Sequence, residues 1–128
     1  MKLKKEIKID ETNIDLETVV NNCIYSTTEK KIGKWIDGKP LYGKIINCGS
    51  SRVSESIAHN ISNIKQICFL NAFMTDSSGN SYPLMWFNNF NEKNYIKVYA
   101  TKTHVSKDAN NGWNFTVYTF MTYTKETD

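Results

Sequence analysis

Ile32-Gly33-Lys34-Trp35-Ile36-Asp37-Gly38-Lys39-Pro40-Leu41-Tyr42 is the stretch whose reading decides the fold class. Asp37-Gly38 is the densest hairpin signal in the chain. Both central residues of a type I′ turn take positive φ, and Asp followed by Gly reaches that conformation at little steric cost. A turn there fixes the register, with Trp35 and Ile36 on the incoming arm and Leu41 and Tyr42 on the outgoing one. Trp35 and Tyr42 then read as structural anchors in a core, and Asp37 and Gly38 as the turn between them. Pro40 has no backbone donor, which places its arm at a sheet edge or makes it an irregular cover. The stretch holds no nucleophile beside a base, no metal-ligand spacing and no phosphate cradle, so its chemistry is packing.

Working outward, 128 residues are enough for one domain with a core that needs neither metal nor disulfide. A hydrophobic content of 40% with 12% aromatic residues argues against disorder. The net charge is only +3, and of 16 basic residues Arg52 alone is Arg. The planar bidentate donor suited to phosphates and base edges is nearly missing, which weighs against nucleic acid as a partner. Cys23, Cys48 and Cys68 are too widely spaced for a Cys-x-x-Cys metal site, and their odd number argues against a disulfide framework, so buried thiols are expected. The basic start Met1-Lys2-Leu3-Lys4-Lys5 is not followed by an apolar run of about 7 residues, and no stretch approaches the ~20 apolar residues of a membrane span. The expectation is therefore a protein made in the cytoplasm with no signal peptide, no membrane partner and no cofactor or metal.

Residues 1–24 read as a leader or attachment segment and 25–128 as the folded domain. Lys44 to Cys48 is a short apolar strand, and Ala58 to Lys65 is a structured loop because Asn60 and Asn63 favour turns. Gln66 to Thr75 is almost wholly apolar and predicts a central strand buried on both faces. Tyr82 to Phe87 predicts a strand with Pro83 marking an edge, and Tyr95 to Thr101 alternates well, with Ile96, Val98 and Ala100 on one side. Asn111-Gly112 is the second strong turn signal. Trp113 to Thr124 predicts the longest strand, with Trp113, Phe115, Val117, Met121 and Tyr123 on one face. Its other face holds Tyr118 and Phe120 and is too aromatic for plain solvent, since monomers seldom expose apolar patches above a few hundred Å². Tyr118 and Phe120 thus predict an oligomer interface. Roughly six to eight short strands separated by turn residues predict an all-β protein: an antiparallel β-sandwich, jelly-roll-like.

Tyr25-Ser26-Thr27-Thr28-Glu29, the run Ile32 to Tyr42, Ala58-His59-Asn60-Ile61-Ser62-Asn63-Ile64 and Tyr123-Thr124-Lys125 together resemble the C-terminal domains of fibre and tail proteins of phages and prophages of Gram-positive bacteria. The resemblance covers about four-fifths of the chain, and Trp35 to Tyr42 is its most specific part. Asn60 departs from it, standing where Gly is expected. The resemblance implies a homotrimer in the virion, in a head or tail fibre, joined through its leader to other virion proteins and adhering to a host cell surface.

Catalysis finds little support in the residues. His59 and His104 are the only histidines, and Asp76 with Glu92 is a carboxylate pair whose separation sequence does not supply. A non-covalent site is the better expectation. Trp86, Asn88, Asn89, Tyr95 and Trp113 combine aromatic faces with amides in adjoining loops, the mixture that binds sugars, so they are the candidate ligand-binding residues for a cell-wall carbohydrate. The expected function is a viral structural protein that binds a host receptor and is not an enzyme. The alternatives are a decoration or assembly subunit without ligand, and a single-stranded nucleic-acid binder on a small barrel.

Overall fold

The computed structural model describes residues 24–84 and 95–128. The leader expected over 1–24 and the site residues Trp86, Asn88 and Asn89 lie outside the described residues, except that Ile24 falls at their start. Among the described residues there is no helix and there are eight strands: β1 (Lys30–Lys34), β2 (Pro40–Ser50), β3 (Glu55–Ala58), β4 (Ile64–Thr75), β5 (Ser81–Leu84), β6 (Tyr95–Ala100), β7 (His104–Asn110) and β8 (Thr116–Lys125). All pairings are antiparallel, in a five-stranded sheet ordered β1-β2-β8-β4-β5 and a three-stranded sheet ordered β3-β7-β6. The described residues are all-β, as the alternation of the strands requires.

The opening hairpin differs from the expected one. Gly38 N donates to Trp35 O at 2.9 Å and Trp35 N donates to Lys39 O at 2.9 Å, so the loop has three residues, not two. Gly38 takes φ +87° while Asp37 stays out of the positive-φ region. The turn is centred on Ile36 and Asp37 and followed by a left-handed Gly, the usual three-residue hairpin. Asp37 contributes differently: its carboxylate accepts the Lys39 N–H at 3.0 Å. Pro40 is the first residue of β2, opposite Lys34 of β1. Since β2 lies between β1 and β8, Pro40 marks a strand start and not a sheet edge. Pro83, by contrast, sits in β5, which is an edge.

Alternation makes the core. Ile46 and Cys48 of β2, Ile64 and Met74 of β4, and Val117, Met121 and Tyr123 of β8 meet Ile96 of β6 and Val105 and Ala109 of β7 in one buried cluster between the sheets. The Gln66 to Thr75 stretch lies in β4, an interior strand between β8 and β5 as expected, while β8 holds the centre of the sheet. Burial of that stretch on both faces is corrected, because Phe69 is 54% exposed on the face turned away from the small sheet. Asn111-Gly112 makes no hairpin either, since β7 and β8 belong to different sheets. The Asn111 amide donates to Ser51 O and Tyr95 O, and its Oδ1 accepts the Trp113 N–H, which fixes the crossing from one sheet to the other. Asn60 and Asn63 both have φ near 60°, so the structured loop before β4 takes the left-handed turns that Asn tolerates.

Candidate functional site

The five-stranded sheet has one face on the core and one turned outward. Strand register assigns Ile45, Phe69, Phe73, Tyr118 and Phe120 to the outer face, because each lies opposite or beside an even-numbered residue of β8. Phe73 and Tyr118 are direct cross-strand partners whose rings stack at 5.7 Å between centroids. Tyr25 lies against Phe120 at 5.1 Å and is itself 64% exposed. Gly43 is required beneath this ring: a Cβ there would come within 3.0 Å of Phe120. Tyr118 and Phe120, the expected interface residues, are thus half-buried on an outer face that also carries Phe69 and Phe73.

At one end of this face, where β8 begins, lies a cavity of about 510 Å³ lined by Asn47, Thr75, Ser77, Asn114, Phe115 and Thr116, among others. Its wall is built by a β-bulge between Asn47 and Gly49 of β2. Gly49 takes φ +78°, and Asn47 Oδ1 accepts its N–H at 2.9 Å. On the core side of the same bulge Lys107 is only 2% exposed, and its ammonium donates to the carbonyls of Cys48 and Ser50. Glu55 stands 3.8 Å away. Burial pushes the Lys107 ammonium below the usual lysine range, with Glu55 opposing. A buried cation thus holds the strand whose far side forms the cavity.

Ser51 is fully buried and fastens the other wall. Its hydroxyl donates to Trp113 O at 2.9 Å and accepts the Phe115 N–H at 3.2 Å. Trp113 and Phe115 consequently pack against the core, while Asn114 between them is exposed and lines the cavity. Tyr82 stacks on Phe115 at 5.2 Å. Asp76 also lines the cavity, but its Oδ1 accepts the N–H groups of Ser78 and Asn80 and its Oδ2 accepts from the Asn80 amide and the Tyr82 hydroxyl. These bonds, the Asn80 backbone bond first, hold its carboxyl below the ordinary range and commit it to the β4–β5 turn. Asp76 is therefore a turn organiser.

Of the expected sugar-binding residues, Tyr95 and Trp113 are brought near each other through Asn111. Tyr95 carries Lys97 Nζ over its ring at 5.4 Å. Neither Tyr95 nor Trp113 lines the cavity. Trp35, read as a core anchor, is corrected: it stands at the mouth of the hairpin loop, partly exposed and outside the buried cluster. Tyr42 does pack against the core, stacked on Tyr123, and its hydroxyl donates to Asp128 at 2.7 Å. Burial first and this bond second push the Tyr42 hydroxyl up to about 12. The sole Arg, Arg52, donates to Gly112 O. Among the described residues no group of His, Cys, Asp and Glu could hold a metal, and no helix is long and apolar enough to cross a membrane.

Sequence reasoning missed the cavity because its residues are scattered over β2, the β4–β5 turn and the approach to β8. Gly49 was the one available signal. It reads as a strand stop, but a Gly within a strand also marks a bulge. No family model matches the chain, and neither a curated protein nor a solved structure matches it.

Proposed function

We propose that the protein is a subunit of a phage fibre or tail appendage that assembles as a homotrimer and adheres to the surface of a Gram-positive host. The observation that carries this reading is the aromatic strip of Phe69, Phe73, Tyr118 and Phe120 on the outer sheet face, with Phe69 54% exposed. Large apolar groups aligned on one face are stabilised by burial at roughly 25 cal/mol per Å² removed from water, and a second copy of the chain offers the same strip. The motif resemblance over Tyr25 to Lys125 supports the phage assignment. In this reading the two sheets form a jelly-roll-like sandwich, residues 1–24 join the domain to other virion proteins, and a cell-wall carbohydrate is the receptor.

Co-sedimentation of the purified full chain with intact Gram-positive cells tests the adhesion. Saturable binding that is competed by isolated wall polymer is the expected result. A trimer that binds no cells from a broad host panel would replace adhesion with a purely architectural role in the particle.

A further inference from the structure

We infer that the cavity at the start of β8 is a binding site for a neutral polyhydroxylated ligand, a saccharide or polyol unit. The inference deepens the adhesion reading and rests on it for its biological setting. The cavity volume of about 510 Å³ falls within the ~300–1,000 Å³ of small-molecule sites. What distinguishes it is the state of its polar groups.

The one formal charge in its lining, Asp76, is engaged by four hydrogen bonds from Ser78, Asn80 and Tyr82, which fix the carboxylate in place and keep it ionised. The uncharged groups are open. The Asn114 side chain and the hydroxyls of Thr75, Ser77 and Thr116 make no hydrogen bond with a described residue. Asn47 is oriented by accepting from Gly49 N through Oδ1, which leaves its Nδ2 as a donor. The lining therefore offers amide donors and acceptors and hydroxyls that can do both. That set matches the hydroxyls of a sugar ring, and the ionised Asp76 beside it disfavours an anion.

The aromatic half of the recognition is also present. Phe115 forms part of the wall, held by Tyr82. The stacked Phe73 and Tyr118 rings lie on the same sheet face two residues along from Thr75 and Thr116. A sugar seated among the amides can lay its apolar ring face toward these side chains. Lys107, bonded to the carbonyls on the far side of the Asn47–Gly49 bulge, is a positioning residue for the wall.

The test is heteronuclear NMR of the full chain titrated separately with methyl glucoside, methyl galactoside, N-acetylglucosamine and glycerol phosphate. At least one neutral sugar should shift the amides of Ser77, Asn114 and Thr116. Asn114→Ala should weaken that binding by about tenfold, the value of one lost hydrogen bond of ~1.4 kcal/mol. Because Asn114 is exposed, this variant should keep the wild-type unfolding temperature. Thr116→Val is the second variant and should weaken the same sugar. Shifts confined to Tyr95 and Trp113, a response to glycerol phosphate alone, no response to any neutral sugar, or undiminished binding in both variants would each overturn the inference. Cell co-sedimentation separates the two readings. Capture of cells without sugar shifts at the cavity sinks the site and leaves adhesion standing, whereas sugar binding at the cavity without capture supports the site and sinks adhesion.

Discussion

His59 shows how much a single residue can decide. Its ring is 1% exposed, Nδ1 accepts the Ile61 N–H at 3.2 Å, and Nε2 faces Thr101 O at 3.0 Å, so the ring is neutral with its proton on Nε2. Burial lowers its pKa, the bond to the Thr101 carbonyl opposes this, and the nearby Lys44 and His104 add to the lowering. The unfolded chain then binds the proton more readily than the folded one, so stability is complete above the ordinary pKa of about 6.5 and is lost as pH falls below it. Urea unfolding from pH 7 to pH 5 should show this loss, with a slope of at most about 1.4 kcal/mol per pH unit from this group. In His59→Gln the slope should flatten, and an unchanged slope would remove His59 as its source. Lys107 is the second such residue. Lys107→Met leaves the Cys48 and Ser50 carbonyls without their donor and should cost about 1–3 kcal/mol for each by urea unfolding. Trp35→Ala, at a partly exposed position, should cost well under the ~3–5 kcal/mol of a core tryptophan. Sequence did not show these roles: a buried Lys runs against the composition of a strand and is explained only by the Cys48 and Ser50 carbonyls it meets, and a Trp outside the buried cluster runs against its usual burial.

Elements were legible where alternation or turn chemistry was local. Ile96, Val98 and Ala100 line the core side of β6 as their spacing requires, and Val117, Met121 and Tyr123 do the same in β8. Strand β7 was not legible, because the inward-facing Lys107 interrupts the apolar series of Val105 and Ala109. The hairpin was legible from Asp37-Gly38, but its loop was expected one residue too short: Asp37 uses its carboxylate instead of taking positive φ, and Ile36 joins the loop. Gly38 at φ +87° would have nothing within 4 Å of an added Cβ, so a substitution there costs only backbone strain. Gly38→Ala should lower stability by about 1–2 kcal/mol in thermal unfolding, and Gly38→Asn by less, because Asn visits the left-handed region. Equal losses in the two variants would show that something other than φ sets the requirement.

At the scale of the whole molecule, the last strand completes the fold. β8 enters between β2 and β4, strands that precede it by many residues, and carries both the core residues of the large sheet and the aromatic strip on its outer face. Its two-sided character was visible in the sequence, and from it came the expectation of an oligomer. The cavity beside the strip was not visible, because it exists only once β2, the β4–β5 turn and β8 converge. The proposed trimer requires a second and third copy of the chain to cover the strip. Light scattering on the purified protein tests it most directly. A mass three times the 14.8 kDa of one chain is expected, falling to one chain in Phe69→Lys combined with Tyr118→Lys. A wild-type mass of 14.8 kDa at every concentration would contradict it.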